Sequence, residues 1–387
     1  MQYRKFGKLD WEASALGFGC MRLPTLDGRN ESVDEEEAIK MIRHAIDNGV
    51  NYVDTAYFYH GAGWVHGKSE VVLGKALKDG YREKVKVATK SPVRIIKEEG
   101  DFDRFLDEQL KALDIDYIDF YLLHGLSKHS FKTVKDLKLI EKAEAAISDG
   151  RIKHLGFSFH DDYDTFEEII NYYDGWTFCQ IQYNYMDVDN QAGMKGLKLA
   201  ASKGIAVVLM EPLLGGKLAN PPKTVKDLFA SHSKQKTPAD WALQWLWNQP
   251  EVTVILSGMT TMGQVIENLK SADSSGANSL SSEDLKLIDK VREEYSQRTL
   301  IPCTGCSYCV PCPNDVEIPR NFKTYNEGYM YDDLSGARGT YVRFLGEENR
   351  AGACIQCGVC EEKCPQKIEI SQWMPKVHEV LGLGKEY

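Results

Sequence analysis

What this sequence lacks narrows it first. It has no run of about 18 apolar residues, so no membrane span is expected. Basic residues are outnumbered, 47 Lys and Arg against 57 Asp and Glu, for a formal net charge of −10. That balance argues against nucleic acid or an anionic membrane as a partner. The opening residues, MQYRKFGKLDW, carry neither the basic start nor the apolar stretch of a secretory signal. Oxidised cysteine pairs are therefore not expected, and a reducing cytoplasm is. No flavin-binding segment is evident. Cysteine is almost missing from the first 302 residues, where Cys20 and Cys179 each sit in an apolar, strand-like stretch that suits a buried inert thiol.

The other eight cysteines are concentrated near the C-terminus. Cys303, Cys306, Cys309 and Cys312 precede Pro313, and Cys354, Cys357, Cys360 and Cys364 precede Pro365. Thiolates spaced this way on a tight loop converge on a metal-sized volume. Two such runs enclose two [4Fe-4S] clusters when the fourth cysteine of each run crosses to the other cluster. Structural zinc is the competing use, but its ligand pairs are usually C-x2-C units set well apart. Here four cysteines are packed within ten residues in one run and eleven in the other. The first run is spaced two-two-two and the second two-two-three. Cys312 is thus the least secure ligand, and a three-iron or otherwise altered second cluster stays open.

From residue 15 to about 270, short apolar runs alternate with amphipathic stretches eight times. The expected strands are 15–20, 52–56, 85–89, 117–123, 154–158, 178–181, 206–210 and 252–256, several rich in β-branched or aromatic residues as buried parallel strands should be. The expected helices are 35–48, 70–77, 102–113, 134–148, 163–172, 193–202, 238–247 and 264–269. Gly49, Gly150 and Gly204 follow helix ends. Eight βα units point to an α/β protein with a (β/α)8 barrel, a TIM barrel, over 1–298. A small-residue linker (274–282) and one more helix (283–296) follow. The remaining residues, 299–387, are expected to form a small, mainly helical ferredoxin-like domain.

Reactive groups of such barrels sit where strands end on the C-terminal face. Strand two ends at Asp54 with Tyr57, Phe58 and Tyr59 beyond it, strand three at Lys90, and strand four at His124. Taken singly, Asp54 suits a cap, Lys90 a solvated lysine, His124 a satisfied core histidine and Tyr59 aromatic packing. Together they suit a tuned proton donor. A phenol titrates near 10, an ammonium beside it lowers that value, a carboxylate holds the ammonium, and an imidazole orients a substrate oxygen.

These residues resemble a known family. Residues 49–59 (GVNYVDTAYFY) and 69–77 (SEVVLGKAL) are similar to the aldo-keto reductase signature, over a resemblance spanning about 1–295. The resemblance implies a catalytic tetrad of Asp54, Tyr59, Lys90 and His124. It implies that Ser158 in GRIKHLGFS and Gln180 in CQIQYN hold the nicotinamide carboxamide, that Glu267 and Asn268 contact adenine, and that Ser257 joins the cofactor site. Gly215 and Gly216, in the long loop 213–238, let the backbone approach the cofactor diphosphate, and that loop with Trp64, Val65 and His66 is expected to line the substrate mouth.

The departures are specific. Met210 stands where an aromatic ring often faces the nicotinamide, and Phe159 where Asn is usual. The lysine and arginine that clamp the 2′-phosphate of NADPH are replaced by Gly258 and Gln264, so NADH is at least as well suited as NADPH. The cysteine domain marks an iron–sulfur subgroup. The implied activity is NAD(P)H-dependent reduction of an aldehyde or ketone to an alcohol, or the reverse, with the clusters structural or relaying electrons to a redox partner protein. The alternative is a non-enzymatic electron carrier or redox sensor on a barrel scaffold.

Overall fold

The computed structural model describes residues 1–387. Its core is a closed barrel of eight parallel strands: β3 (Leu16–Gly19), β4 (Tyr52–Asp54), β5 (Lys86–Ser91), β6 (Ile118–Leu126), β7 (Ile152–Phe159), β8 (Phe178–Gln182), β9 (Ala206–Met210) and β10 (Val254–Gly258), with β10 pairing back onto β3. Ahead of it, β1 (Tyr3–Lys5) and β2 (Glu12–Ser14) form an antiparallel hairpin that the apolar pattern did not signal, because the strands are short and largely polar. The hairpin carries Phe6 onto the N-terminal ends of the barrel strands. There its ring lies 5.9 Å from Tyr52, 4.6 Å from Phe120 and 5.8 Å from Phe178. The floor is filled by side chains, which leaves the C-terminal face for chemistry.

The helices around the barrel are α1 (Glu35–Asp47), α2 (Ser69–Ala76), α3 (Asp101–Leu113), α4 (Lys128–Asp136), α5 (Leu139–Ser148), α6 (Tyr163–Tyr172), α7 (Gly193–Ser202), and, after α8 (Lys223–Ala230), α9 (Pro238–Trp247) and α10 (Met262–Asp273). Side-chain caps start several of them: Asp34, Asp162 and Thr261 accept the amides of Glu37, Thr165 and Gln264. The single helix expected over 134–148 is two. Ser127 caps α4 with a reciprocal box, and Lys138, at a left-handed φ of 50°, breaks the chain before α5. The expected loop 213–238 contains α8.

The chain divides into two compact units, Met1–Gly215 with Asp240–Ser281, and Gly216–Ala239 with Ser282–Tyr387. In the second, α12 (Ile318–Met330), α13 (Leu334–Phe344), α14 (Val359–Glu362) and α15 (Ile370–Leu381) enclose a core of Ile301, Phe322, Tyr341, Met374 and Val377, while α11 (Ser282–Gln297) packs beside α8. Arg298 ties the end of α11 to the end of α12, donating to the carbonyls of Tyr329 and Met330 and to Asp332. No helix is long and apolar enough to cross a membrane.

Candidate functional site

Four consecutive barrel strands deliver Cys20, Asp54, Lys90 and His124 to one rim. Lys90 is 1% exposed and Asp54 2%. The ammonium donates to Asp54 Oδ1 at 2.5 Å, to the Thr55 carbonyl at 2.7 Å and to Tyr59 Oη at 3.1 Å, and stands 4.6 Å from the centre of the Tyr59 ring. Three acceptors match its three N–H donors. Although burial opposes a charged amine, Asp54 and Tyr59 carry the Lys90 ammonium above its ordinary value, so it stays charged.

The neighbouring ammonium does draw the Tyr59 phenol down, as the sequence implies. Burial is the stronger influence, however, and the phenol ends above its ordinary value. Tyr59 is therefore held protonated, which is the form a proton donor needs. His124 is pushed well below its ordinary value, by burial first and then by the charge of Lys90 and by His160. It is a neutral imidazole whose Nδ1 is buried without a hydrogen-bond partner.

His124 owes its position to a β-bulge. The β6–β7 register slips between Leu123 and Leu126, and Gly125 takes a φ of +63° that a side chain would resist. The Gly125 amide, freed from the ladder, donates instead to Ser158 Oγ at 2.8 Å.

Beneath the tetrad lies a polar support that sequence reasoning missed. Glu70, fully buried at the start of α2, accepts from Thr89 Oγ1 at 2.6 Å and from Gln109 Nε2 at 2.7 Å, and pairs with His66 Nε2 at 2.6 Å. Gln109 also reaches the Lys90 carbonyl at 3.1 Å and accepts from Tyr121. The lysine's backbone is thus fixed by buried hydrogen bonds rather than by packing alone. A glutamate at the first turn of a helix, beside a serine, was the available signal. His60, by contrast, is structural: its Nε2 accepts the Leu23 amide and its Nδ1 donates to the Asn30 carbonyl.

The residues implied for a nicotinamide cofactor are split in readiness. Ser158 and Gln180 are both buried; Gln180 Oε1 has no partner, and Ser158 Oγ accepts Gly125 while keeping its own hydrogen to donate. An acceptor and a donor so placed fit the two ends of a carboxamide. From α10, Asn268 donates to Ser257 Oγ on β10 at 2.9 Å, and Gln264 Oε1 accepts the Thr260 amide at 2.7 Å. Glu267 is half-buried on α10, and Met210 is half-buried at the end of β9. Gly215 and Gly216 follow at φ values of +67° and +100°. Arg22, not foreseen, lies across this loop. A Cβ on Gly258 would come within 2.7 Å of its Cγ, and one on Gly215 within 3.9 Å of its Nη2.

The cysteines gather into two sets. Cys303, Cys306 and Cys309 ring one cavity with Cys364, against Ile318 and Phe322. Cys312 joins Cys354, Cys357 and Cys360 around a second, against Val316. No three of the thiols converge closely enough for one metal ion, while four around each cavity fit a body with four metal corners. Burial pushes the Cys360 thiol up to about 11, so it needs a cationic metal to become thiolate. The Gln356 amide lies 3.4 Å from Cys354 Sγ, a donor suited to cluster sulfur. Cys20 and Cys179 are fully buried, with thiols raised by burial.

Comparison with known proteins follows the same division. Residues 15–293 match the model of the aldo/keto reductase family, and residues 302–369 that of a 4Fe-4S dicluster domain. A probable aldo-keto reductase of Glycine max is 30% identical over 73% of this chain and 87% of its own length. The L-galactose dehydrogenase of Arabidopsis thaliana is 27% identical over 77% of this chain and 97% of its own. Among solved structures, an aldo-keto reductase of Bacillus halodurans in its holo form is similar with a TM-score of 0.61 and 25% identity, covering 75% of this chain and 96% of that one.

Two outcomes follow. A histidine whose charged form is disfavoured binds its proton only well below its ordinary 6.5. By nitrogen-15 NMR, the His124 midpoint should lie below that of an ordinary histidine; a midpoint at or above 6.5 contradicts the site geometry. In the cluster unit, Cys312→Ala should perturb the same paramagnetic centre as Cys354→Ala, and Cys364→Ala the same one as Cys303→Ala. Pairing by run instead would show that the cysteines do not cross.

Proposed function

This chain belongs to the aldo/keto reductase family, and from that premise we propose that it reduces an aldehyde or ketone to the corresponding alcohol, or runs the reverse reaction. The observation that carries the reading is the buried Lys90 ammonium, shared between Asp54 and the Tyr59 hydroxyl. A non-enzymatic carrier has no use for a desolvated charge aimed at a neutral phenol. Bound NAD(P)H supplies the hydride to the carbonyl carbon. The residues do the rest. Tyr59 gives its hydroxyl proton to the carbonyl oxygen, Lys90 offsets the negative charge that the phenol oxygen then develops, and Asp54 keeps Lys90 in place. Neutral His124 sits beside Tyr59, ring centres 6.2 Å apart, where it orients the oxygen.

Ser158 and Gln180 hold the carboxamide, Glu267 and Asn268 contact the adenine, and Gly215 and Ser257 border the diphosphate. Arg22 is the cation available to those phosphates. With Gly258 and Gln264 in place of the 2′-phosphate clamp, NADH is expected to serve at least as well as NADPH. The eight cysteines carry two [4Fe-4S] clusters, which supply single electrons. Cys306 and Cys357 are exposed, and Tyr308 and Ile355 beside them are each 66% exposed, which supports electron exchange with a redox partner protein. Exposed clusters suit a reducing, cytoplasmic setting. Anaerobic protein should then contain roughly eight irons per chain.

Tyr59→Phe removes the proton donor and, with it, one of the three acceptors around the Lys90 ammonium. Carbonyl reduction should fall by about 100-fold or more, with the visible cluster absorbance unaltered. Retained activity would remove Tyr59 from the reaction.

A further inference from the structure

We propose that Arg94 and Trp64 form a substrate subsite for a carboxylate, so that the preferred carbonyl compound is an aldehyde or ketone with an anionic group at the far end of a flat, apolar body. This rests on the carbonyl-reductase reading above and adds to it the charge and shape of the substrate.

The first observation is one of unmatched charge. Among the arginines of the barrel unit, Arg4, Arg29, Arg43, Arg82, Arg104 and Arg151 each donate to a carbonyl or a carboxylate. Arg22 and Arg94 do neither. In a chain with ten more acidic than basic residues, a carboxylate partner is easily supplied, so an arginine left without one is informative. Of the acids that follow it in sequence, Glu99 pairs with Lys142 and Asp101 with Arg104, and Glu98 makes no ion pair. Both unmatched arginines follow strands whose ends build the catalytic rim. Arg22 lies beside Gly215 and Gly258, on the cofactor side. Arg94 is four residues past Lys90, on a short turn anchored by the buried Pro92 and Val93.

The second observation is the platform that holds it. The Arg94 guanidinium lies 4.2 Å over the face of Trp64, which is 55% exposed. Trp64 meets Phe58 edge-on at 5.1 Å between ring centres, and Phe58 stacks against His124 at 6.1 Å. A continuous aromatic wall therefore runs from the imidazole that orients the carbonyl to an unpaired cation. The loop bearing Trp64 is itself pinned, since His66 two residues on pairs with buried Glu70 and stacks on Tyr57 at 4.1 Å.

A guanidinium stacked on an indole keeps its N–H edges free, and those edges match the two oxygens of a carboxylate. A neutral substrate would use the wall and leave the cation idle. A substrate that is flat and acidic uses both.

The test compares 4-carboxybenzaldehyde with its methyl ester, which differs in charge but hardly in shape. In the anaerobically purified full chain, the ratio of kcat/KM for acid over ester should fall about 10- to 100-fold in Arg94→Gln, with Arg94→Lys in between. A ratio that does not move in Arg94→Gln overturns the subsite. Unaltered cluster absorbance and thermal melting exclude misfolding of the variants. If the wild-type chain reduces neither compound, the carbonyl-reductase reading is what fails, and the subsite is judged by calorimetric binding of terephthalate. A Kd at least tenfold weaker in Arg94→Gln supports the subsite, and an equal Kd refutes it.

Discussion

The catalytic face depends on one ion pair, the contact between Lys90 and Asp54. An ammonium at 1% exposure is stable only because a carboxylate, a carbonyl and a phenol take its three protons. Removing one partner of such a pair leaves a buried charge uncompensated, at a cost of about 3–5 kcal/mol. The fold accepts that exposure to damage and surrounds the pair with rigid support: the Glu70, Thr89 and Gln109 network fixes the lysine strand, and the barrel closes beneath it. The same desolvation that makes the pair costly keeps Tyr59 protonated and His124 neutral. One environment thus sets three protonation states at once.

The second unit holds the match to a 4Fe-4S dicluster domain. A nicotinamide delivers two electrons as hydride, whereas a cubane moves one at a time. The two sets of four cysteines, each completed by a cysteine from the other run, interlock residues 303–312 with 354–364, so loss of either cluster would loosen both loops. Apolar packing of α12, α13 and α15 on those loops couples cluster retention to folding of the unit.

Much of this was legible in the residues, and for identifiable reasons. Buried parallel strands are short apolar runs, so all eight barrel strands stood out, and Asp54, Lys90 and His124 followed from where the strands stop. The N-terminal hairpin did not, because three-residue polar strands carry no periodic signal. The break at Lys138 is a left-handed residue with nothing in its type to announce it. The net rise of the Tyr59 phenol was hidden too: an adjacent lysine is visible in a sequence, but the depth of burial that outweighs it is a property of the assembled barrel. Arg22 and Arg94 were overlooked because an unpaired cation is defined by the absence of neighbours, which only coordinates reveal. The grouping of Cys312 with the second run and Cys364 with the first follows the crossing expected of two such runs, although the two-two-two spacing of the first run made Cys312 the least secure of the eight.

The claim at the centre is that the barrel transfers hydride directly and the clusters do not stand between donor and carbonyl. It is tested by reducing benzaldehyde with nicotinamide cofactor deuterated at C4 on the transferred face, in protein with intact clusters, and locating the label by mass spectrometry. Direct transfer at the Tyr59 site places one deuterium on the carbinol carbon of the benzyl alcohol. An alcohol without label, its new C–H hydrogen drawn from water, would mean that the electrons travel singly through iron and sulfur and would contradict the account.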